Sequence, residues 1–299
     1  MVSSWAFALP LVAALGYVAG ALSLKRACEL GVGLWHLAFA CNVLAGLLFQ
    51  GLLVLGGHSQ PLVMLWQPLL VAVLFLAGQI LTLLSLHGGD VSVATPVLGL
   101  KIILVALFTT VLIGQALSYP LWAAAILSTT GIAVLNHTGA HKVGARAKAT
   151  TTILSAGGAA TCYALCDVLL QKWAPVWGAG RFLPLAMGTM GLLSLGLMRL
   201  FPSPLLALPR PALRWLCGGG IVFVLQSMLF SMVVAHFGTA TASNVIYSSR
   251  GLWSVVAVAL LGHWFHSPEK ALPASILRWR LGGAILMFTA ITLVLLPST

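Results

Sequence analysis

The sequence predicts an all-α polytopic membrane protein, with ten transmembrane helices forming two inverted five-helix repeats around a central cavity. Three observations lead there. Of 299 residues, 60% are hydrophobic and only 6% are charged, whereas a soluble domain carries about 25% charged residues. Apolar stretches recur at lengths near the ~20 residues that cross a ~30 Å hydrocarbon core. The second half of the chain also echoes the first, and it does so at the points where charge lies inside an apolar stretch.

Hydropathy, interrupted at Gly, Pro and charged residues, places the first five spans at about 4–24, 32–55, 66–86, 91–114 and 118–136. The longest polar run, HTGAHKVGARAKAT from His137 to Thr150, is a basic linker that separates residues 1–136 from 151–299. Five more spans follow at about 151–171, 180–200, 213–235, 240–263 and 279–296. Because five is odd, the second set enters the membrane from the opposite side, which makes the repeat an inverted one. The opening spans of the two halves support this. Ala14–Ala27, ALGYVAGALSLKRA, aligns with Ala160–Ala174, ATCYALCDVLLQKWA, so that Tyr17 meets Tyr163 and Gly16/Gly20 meets Cys162/Cys166. Small residues four apart let helices approach closely in lipid.

The stretch Asp90–Gln115 carries Lys101 near its middle, where a charge costs about 2.5–3.5 kcal/mol on the lenient insertion scale. Gly238–His263 echoes it. With Gly262 set on Gly114, Ala242 falls on Ala94, Ser243 on Thr95, Val245 on Val97 and Ser249 on Lys101, with Arg250 one position beyond. Each cation lies far from either helix end for a side chain that must reach the headgroups. Two mid-span cations at almost the same place in two copies point to a central site at the repeat interface.

Pro96 and Gly99 precede Lys101, and a proline inside a membrane helix frees a carbonyl and bends the chain; this is the expected hinge. The second copy instead has Asn244, Tyr247, Ser248 and Ser249, which supply hydroxyl and amide groups. Arginine offers a planar fork to a carboxylate or phosphate and lysine a point charge, so Lys101 and Arg250 suit an anionic group. Asp167, on the sixth span, is the only carboxylate well within a span. It either neutralises Lys101 or Arg250 as an ion pair or exchanges protons in a coupled cycle. Trp253 lies three residues past Arg250 and either walls a cavity or packs.

Orientation follows from loop charge. Loops after spans 1, 3, 5, 7 and 9 hold Lys25, Arg26, Lys142, Arg146, Lys148, Arg199, Arg210, Arg214, Lys270, Arg278 and Arg280, against Lys172 and Arg181 on the other face. The positive-inside rule then makes both termini extracytoplasmic. The formal charge of +11 is scattered among short loops with no recognition motif, so no nucleic-acid partner is expected. The short tails and compact loops fit a bacterial inner (plasma) membrane, and no cleavable signal is evident.

Cys28, Cys41, Cys162, Cys166 and Cys217 show no metal or redox spacing and read as small apolar fillers. His36, His87 and His236 form no ligand set, so neither metal nor cofactor is expected. Most tryptophans, among them Trp5, Trp35, Trp66, Trp122, Trp215, Trp264 and Trp279, fall at span ends as interfacial belts. No GxSxG, Walker loop, HExxH or paired-carboxylate motif occurs, which argues against an enzyme or an ATP-driven pump.

Ten spans in two halves, a Tyr and a basic pair in the opening span, and spans of the form A-T-P-V-x-G-x-K and S-x-x-x-x-S-R-G ending in Leu-Ile-Gly-Gln and Leu-Leu-Gly-His resemble the drug/metabolite transporter (DMT) superfamily, EamA type. The resemblance covers the whole chain, though the usual Gly-Glu is here Gly114-Gln115 and Gly262-His263. It implies a basket of helices with a central cavity, alternating access, and export or exchange of small metabolites. Members are usually drawn with cytoplasmic termini, opposite to the charge count. The expectation is therefore a secondary transporter, exporter or exchanger, of a small polar anionic or zwitterionic metabolite such as an amino acid or organic acid, with a coupling ion or proton as a further partner. Lys101 and Arg250 would hold the negative group, Asp167 would balance or couple, and Tyr17, Tyr163, Asn244, Tyr247, Ser249 and Trp253 would shape the pocket. The alternative is a membrane enzyme or scaffold handling lipid-linked anions.

Overall fold

A chain this apolar must satisfy its backbone within each segment, and helices do so without a partner. The computed structural model describes residues 7–87, 91–136, 146–261 and 274–295. Trp5, Asp90, the polar run 137–145, Gly262, His263, Trp264 and Lys270 lie outside the described residues. Within them there are helices and no strands.

The α-helices are α1 (Ala8–Glu29), α2 (Leu34–Leu48), α3 (Trp66–His87), α4 (Val91–Gly99), α5 (Lys101–Phe108), α6 (Tyr119–Leu135), α7 (Arg146–Trp177), α8 (Ala179–Leu193), α9 (Arg210–Phe237), α10 (Ala240–Tyr247), α11 (Arg250–Leu261) and α12 (Ala274–Leu295). Short 3₁₀ turns extend α2 through Leu55 and α8 through Leu200, and a π-turn extends α5 through Ile113.

Eight helical stretches among the described residues are long and apolar enough to cross a bilayer: Ala8–Glu29, Leu34–Leu55, Leu62–Leu86, Val93–Ile113, Thr150–Trp177, Ala179–Leu200, Arg210–Phe237 and Arg278–Leu295. Each coincides with an expected span. The other two expected spans are also helical, but α6 is only 17 residues long and the ninth is divided into α10 and α11. The linker predicted for 137–150 ends sooner than expected, because Arg146–Thr150 already form the first turns of α7. Basic residues there do not interrupt a helix, since Lys, Arg and Ala are all good helix formers.

Two compact units emerge, and neither is a sequence half. One takes in the described residues of Met1–Leu11, Ala77–Val168 and Thr239–Thr299; the other takes in Val12–Leu76 and Leu169–Gly238.

In the first unit α6 is the central helix, with α4, α5, α10 and α12 packed on it. Ile102, Ala106, Ala124, Ala125, Val245 and Ala290 form its core, mostly small side chains that allow close helix approach. α6 and α12 meet closest at two glycines. A Cβ on Gly283 would fall 2.7 Å from the Leu135 amide nitrogen and 2.8 Å from the Gly131 carbonyl oxygen, so no side chain fits there.

In the second unit α2 packs on α8 and α9, and Leu24, Ala27, Val32, Cys41, Leu208, Ala212 and Leu216 form a core. The chain from α2 toward α3 is pinned to the end of α7: the His58 amide donates to the Trp177 carbonyl at 2.8 Å, Gln60 Nε2 to the Val176 carbonyl at 2.8 Å, and Trp177 Nε1 to Gln67 Oε1 at 2.8 Å. Gly57 and Gly178 lie against each other here, with φ of 148° and 79°, a conformation and an approach that only glycine takes without strain.

Candidate functional site

The two spans that carry a mid-depth cation are both interrupted, and each is interrupted immediately before that cation. α4 ends at Gly99 and α5 begins with Lys101; α10 ends at Tyr247 and α11 begins with Arg250. At each break the backbone tightens into i→i−3 bonds, with the Leu100 amide on the Val97 carbonyl at 3.1 Å and the Ser249 amide on the Ile246 carbonyl at 3.1 Å. Such 3₁₀ turns within a helix are a common mark of a functional site.

In the first span Pro96 lies inside α4, four residues before the break, and Gly99, a poor helix former, ends that helix. Gly99 lets α4 lie close to α6: a Cβ there would sit 3.0 Å from Ile132 Cγ2. In the second span no proline precedes the break; Gly251 follows it, its amide on the Ser248 carbonyl at 3.1 Å. Ser248 turns its hydroxyl onto the Val245 carbonyl at 2.6 Å, the kind of local bond by which serine competes with helical backbone.

Lys101 and Asp167 form an ion pair, Nζ to Oδ2 at 2.7 Å, with the side chains 17% and 13% exposed. Asn244 Nδ2 donates to the same Oδ2 at 2.7 Å and also lies 2.9 Å from the Ala240 carbonyl of its own helix. One carboxylate oxygen thus joins α5, α7 and α10. Of the two roles open to Asp167, the geometry contains the pair with Lys101.

Tyr163, one turn before Asp167 on α7, has its ring centroid 5.8 Å from Lys101 Nζ, and its ring edge lies against Gly78 of α3. Arg250 lies over the Tyr247 ring, Cζ to centroid 4.5 Å, a desolvated face that attracts a cation. Two cations and one carboxylate therefore belong to the same compact unit.

Ser249 is 2% exposed and Trp253 is half-buried. Ser249 Oγ and Trp253 Nε1 are two of three buried side-chain atoms among the described residues that make no hydrogen bond; the third is His36 Nδ1. His36 belongs to the second unit, where its Nε2 lies 2.7 Å from the Ser203 carbonyl oxygen. A cavity of about 610 Å³ in that unit is lined by Phe39, Met198, Phe201, Pro202, Ser203, Pro204 and Leu205 and contains none of the expected site residues.

Lys101, Asp167, Tyr163, Asn244, Tyr247, Ser249, Arg250, Trp253, Pro96 and Gly99 thus all fall within one compact unit. Tyr17 does not: it belongs to the other, where its ring packs on Phe223 with centroids 5.4 Å apart.

Sequence reasoning missed Ser128 and Thr129 on α6. Thr129 Oγ1 donates to the Gly99 carbonyl at 3.3 Å, and the hydroxyl oxygens of Ser248 and Ser128 lie 3.4 Å apart. Adjacent residues of one helix therefore hold both breaks. The signal was the polar run Ser128-Thr129-Thr130 inside an apolar span. Thr109 and Thr241 make a similar hydroxyl contact at 3.4 Å. Among the described residues no group of His, Cys, Asp and Glu is placed to hold a metal ion, and all five cysteines are free thiols.

No protein-family model and no curated protein matches the chain. Solved structures do. One, known only as "Crystal structure of protein", is 20% identical with a TM-score of 0.75, and the match covers 95% of this chain and 98% of that one. At that identity the similarity shows a shared fold.

Proposed function

We propose that the protein is a secondary transporter that carries a small polar anion across the membrane by alternating access, with Lys101 and Arg250 as the charges that receive it. The observation that carries this reading is the pairing of the two breaks, each followed at once by a cation, with Asp167 and Asn244 between them. Broken helices near mid-membrane are where transporters place substrate and coupling ions. The ten-span inverted repeat belongs to the same proposal and has its own support. α6 with α12 and α2 with α8 are the corresponding fifth and tenth, second and seventh spans of the two halves, and each pair packs closely within one unit. The resemblance to EamA-type transporters agrees with this reading, as does placement in a bacterial inner membrane with extracytoplasmic termini.

A non-transporting scaffold is the second reading, and the Lys101–Asp167 pair favours it, since a locked pair serves structure alone. Reconstitution into vesicles separates the two. Uptake or exchange of small organic anions should be measurable for the wild type and fall to background for Arg250→Ala. It should also fall to background for Lys101→Met/Asp167→Leu, which removes the pair without stranding a charge. Anion uptake at wild-type level by both variants would refute the transport assignment of these residues.

A further inference from the structure

Buried polar atoms in proteins are nearly always hydrogen-bonded, and an orphan is destabilising. Two of the three orphans among the described residues, Ser249 Oγ and Trp253 Nε1, stand four residues apart at the start of α11, on either side of Arg250 in sequence. Side chains four apart on a helix are neighbours. One orphan could be an accident of packing, but two on one face, beside a guanidinium stacked on Tyr247, are a set.

The chemistry of the set is one-sided. The indole N–H only donates, the guanidinium only donates, and the serine hydroxyl donates or accepts. The carboxylate of the cluster already receives Lys101 and Asn244 on Oδ2.

We propose that Ser249, Arg250 and Trp253 form a subsite for a small carboxylate bearing an oxygen on the neighbouring carbon, a 2-hydroxy or 2-oxo acid, and that it discriminates against the matching amino acid. The guanidinium takes the carboxylate through its planar fork. The second oxygen accepts from the indole N–H and the serine hydroxyl. An ammonium at that position would face the indole N–H and the guanidinium, both donors, with the serine hydroxyl as the one acceptor of the set, whereas an oxygen there is matched by both the indole and the hydroxyl. This inference rests on the anion-carrier reading and narrows it from small polar anions to oxygen-rich acids.

A series of four ligands differing only at the second carbon tests it: propionate, lactate, pyruvate and alanine, titrated by calorimetry into the purified full-length protein. Lactate and pyruvate should bind about tenfold more tightly than propionate, the effect of roughly one hydrogen bond in a dry site, and alanine no more tightly than propionate. Trp253→Phe should bring the lactate-to-propionate ratio to about one, and Ser249→Ala should lower it.

The melting temperature of the ligand-free protein provides a second measurement. Ser249→Ala should not lower it, because the hydroxyl oxygen removed makes no bond in the empty site. Equal affinity for propionate and lactate, tighter binding of alanine, or a lowered melting temperature for ligand-free Ser249→Ala would each overturn the subsite. If none of the three anions binds the wild type, the anion-carrier reading fails and the subsite with it; if the anions bind without preference, only the subsite fails.

Discussion

Lys101 and Asp167 are mostly buried, so each is tolerable mainly because of the other. Removing one partner of a buried pair strands a charge and costs about 3–5 kcal/mol, whereas replacing both with apolar residues of similar size is often neutral. Lys101→Met should therefore lower stability by about 3 kcal/mol, read from chemical or thermal denaturation in detergent, and Lys101→Met/Asp167→Leu should regain most of the loss. A single variant as stable as wild type would mean that Asp167 is neutral or solvated despite the 2.7 Å contact. The sequence contained this pair only as an alternative. It shows that Asp167 sits alone within a span and that two cations exist, but sixty-six positions of chain separate Lys101 from Asp167, and only tertiary packing decides which cation is reached. Ser249 and Trp253 were legible as neighbours of Arg250, whereas their lack of partners was not, because satisfaction of a hydrogen bond depends on every helix around it.

At the scale of helices, span positions were legible because length and hydropathy are set by the bilayer and hardly depend on tertiary context. The break before Lys101 was partly legible for the same local reason, since Pro96 and Gly99, both poor helix formers, stand just ahead of it. The break before Arg250 has Gly251 after it and no proline before it; serine side chains and the Ser128 hydroxyl on α6 also meet there, which places its cause partly outside the segment. Helix crossings are likewise readable only as glycines with no assigned role. Gly283 and Gly218 illustrate the difference. A methyl group on Gly283 would collide with backbone atoms of α6 at 2.7–2.8 Å, while one on Gly218 of α9 meets nothing within 4 Å. Gly283→Ala should thus cost about 1–3 kcal/mol, and Gly218→Ala should be neutral or stabilise by up to about 1 kcal/mol through lower backbone entropy in the unfolded chain. Melting temperatures of the two variants should move in different directions from each other, and equal shifts would mean that α6 and α12 can separate at no cost.

For the whole chain, charge asymmetry predicts which loops share a compartment. Eleven basic residues on one set of loops against two on the other place the loop containing Ser203 on the cytoplasmic side and the one containing Ser118 outside. Single cysteines introduced at these positions, in a protein lacking its own five, should differ accordingly. Ser118→Cys should react with a membrane-impermeant maleimide in intact cells, and Ser203→Cys only after permeabilisation. The reverse pattern would invert the orientation and favour cytoplasmic termini. The division into two compact units was not legible. The sequence reads as two tandem halves, yet each unit draws segments from both, because compactness follows which helices pack and not the order in which they are connected.

The carboxylate oxygen shared by Lys101 and Asn244 also has a consequence for descent. A lineage that loses the lysine while keeping the aspartate passes through a form with a stranded charge, and the reverse order fares no better. Codons 101 and 167 are therefore bound to each other in inheritance. Across diverging copies of this gene the two positions should be found both charged or both apolar, with mixed forms short-lived, even where the loops around them change freely.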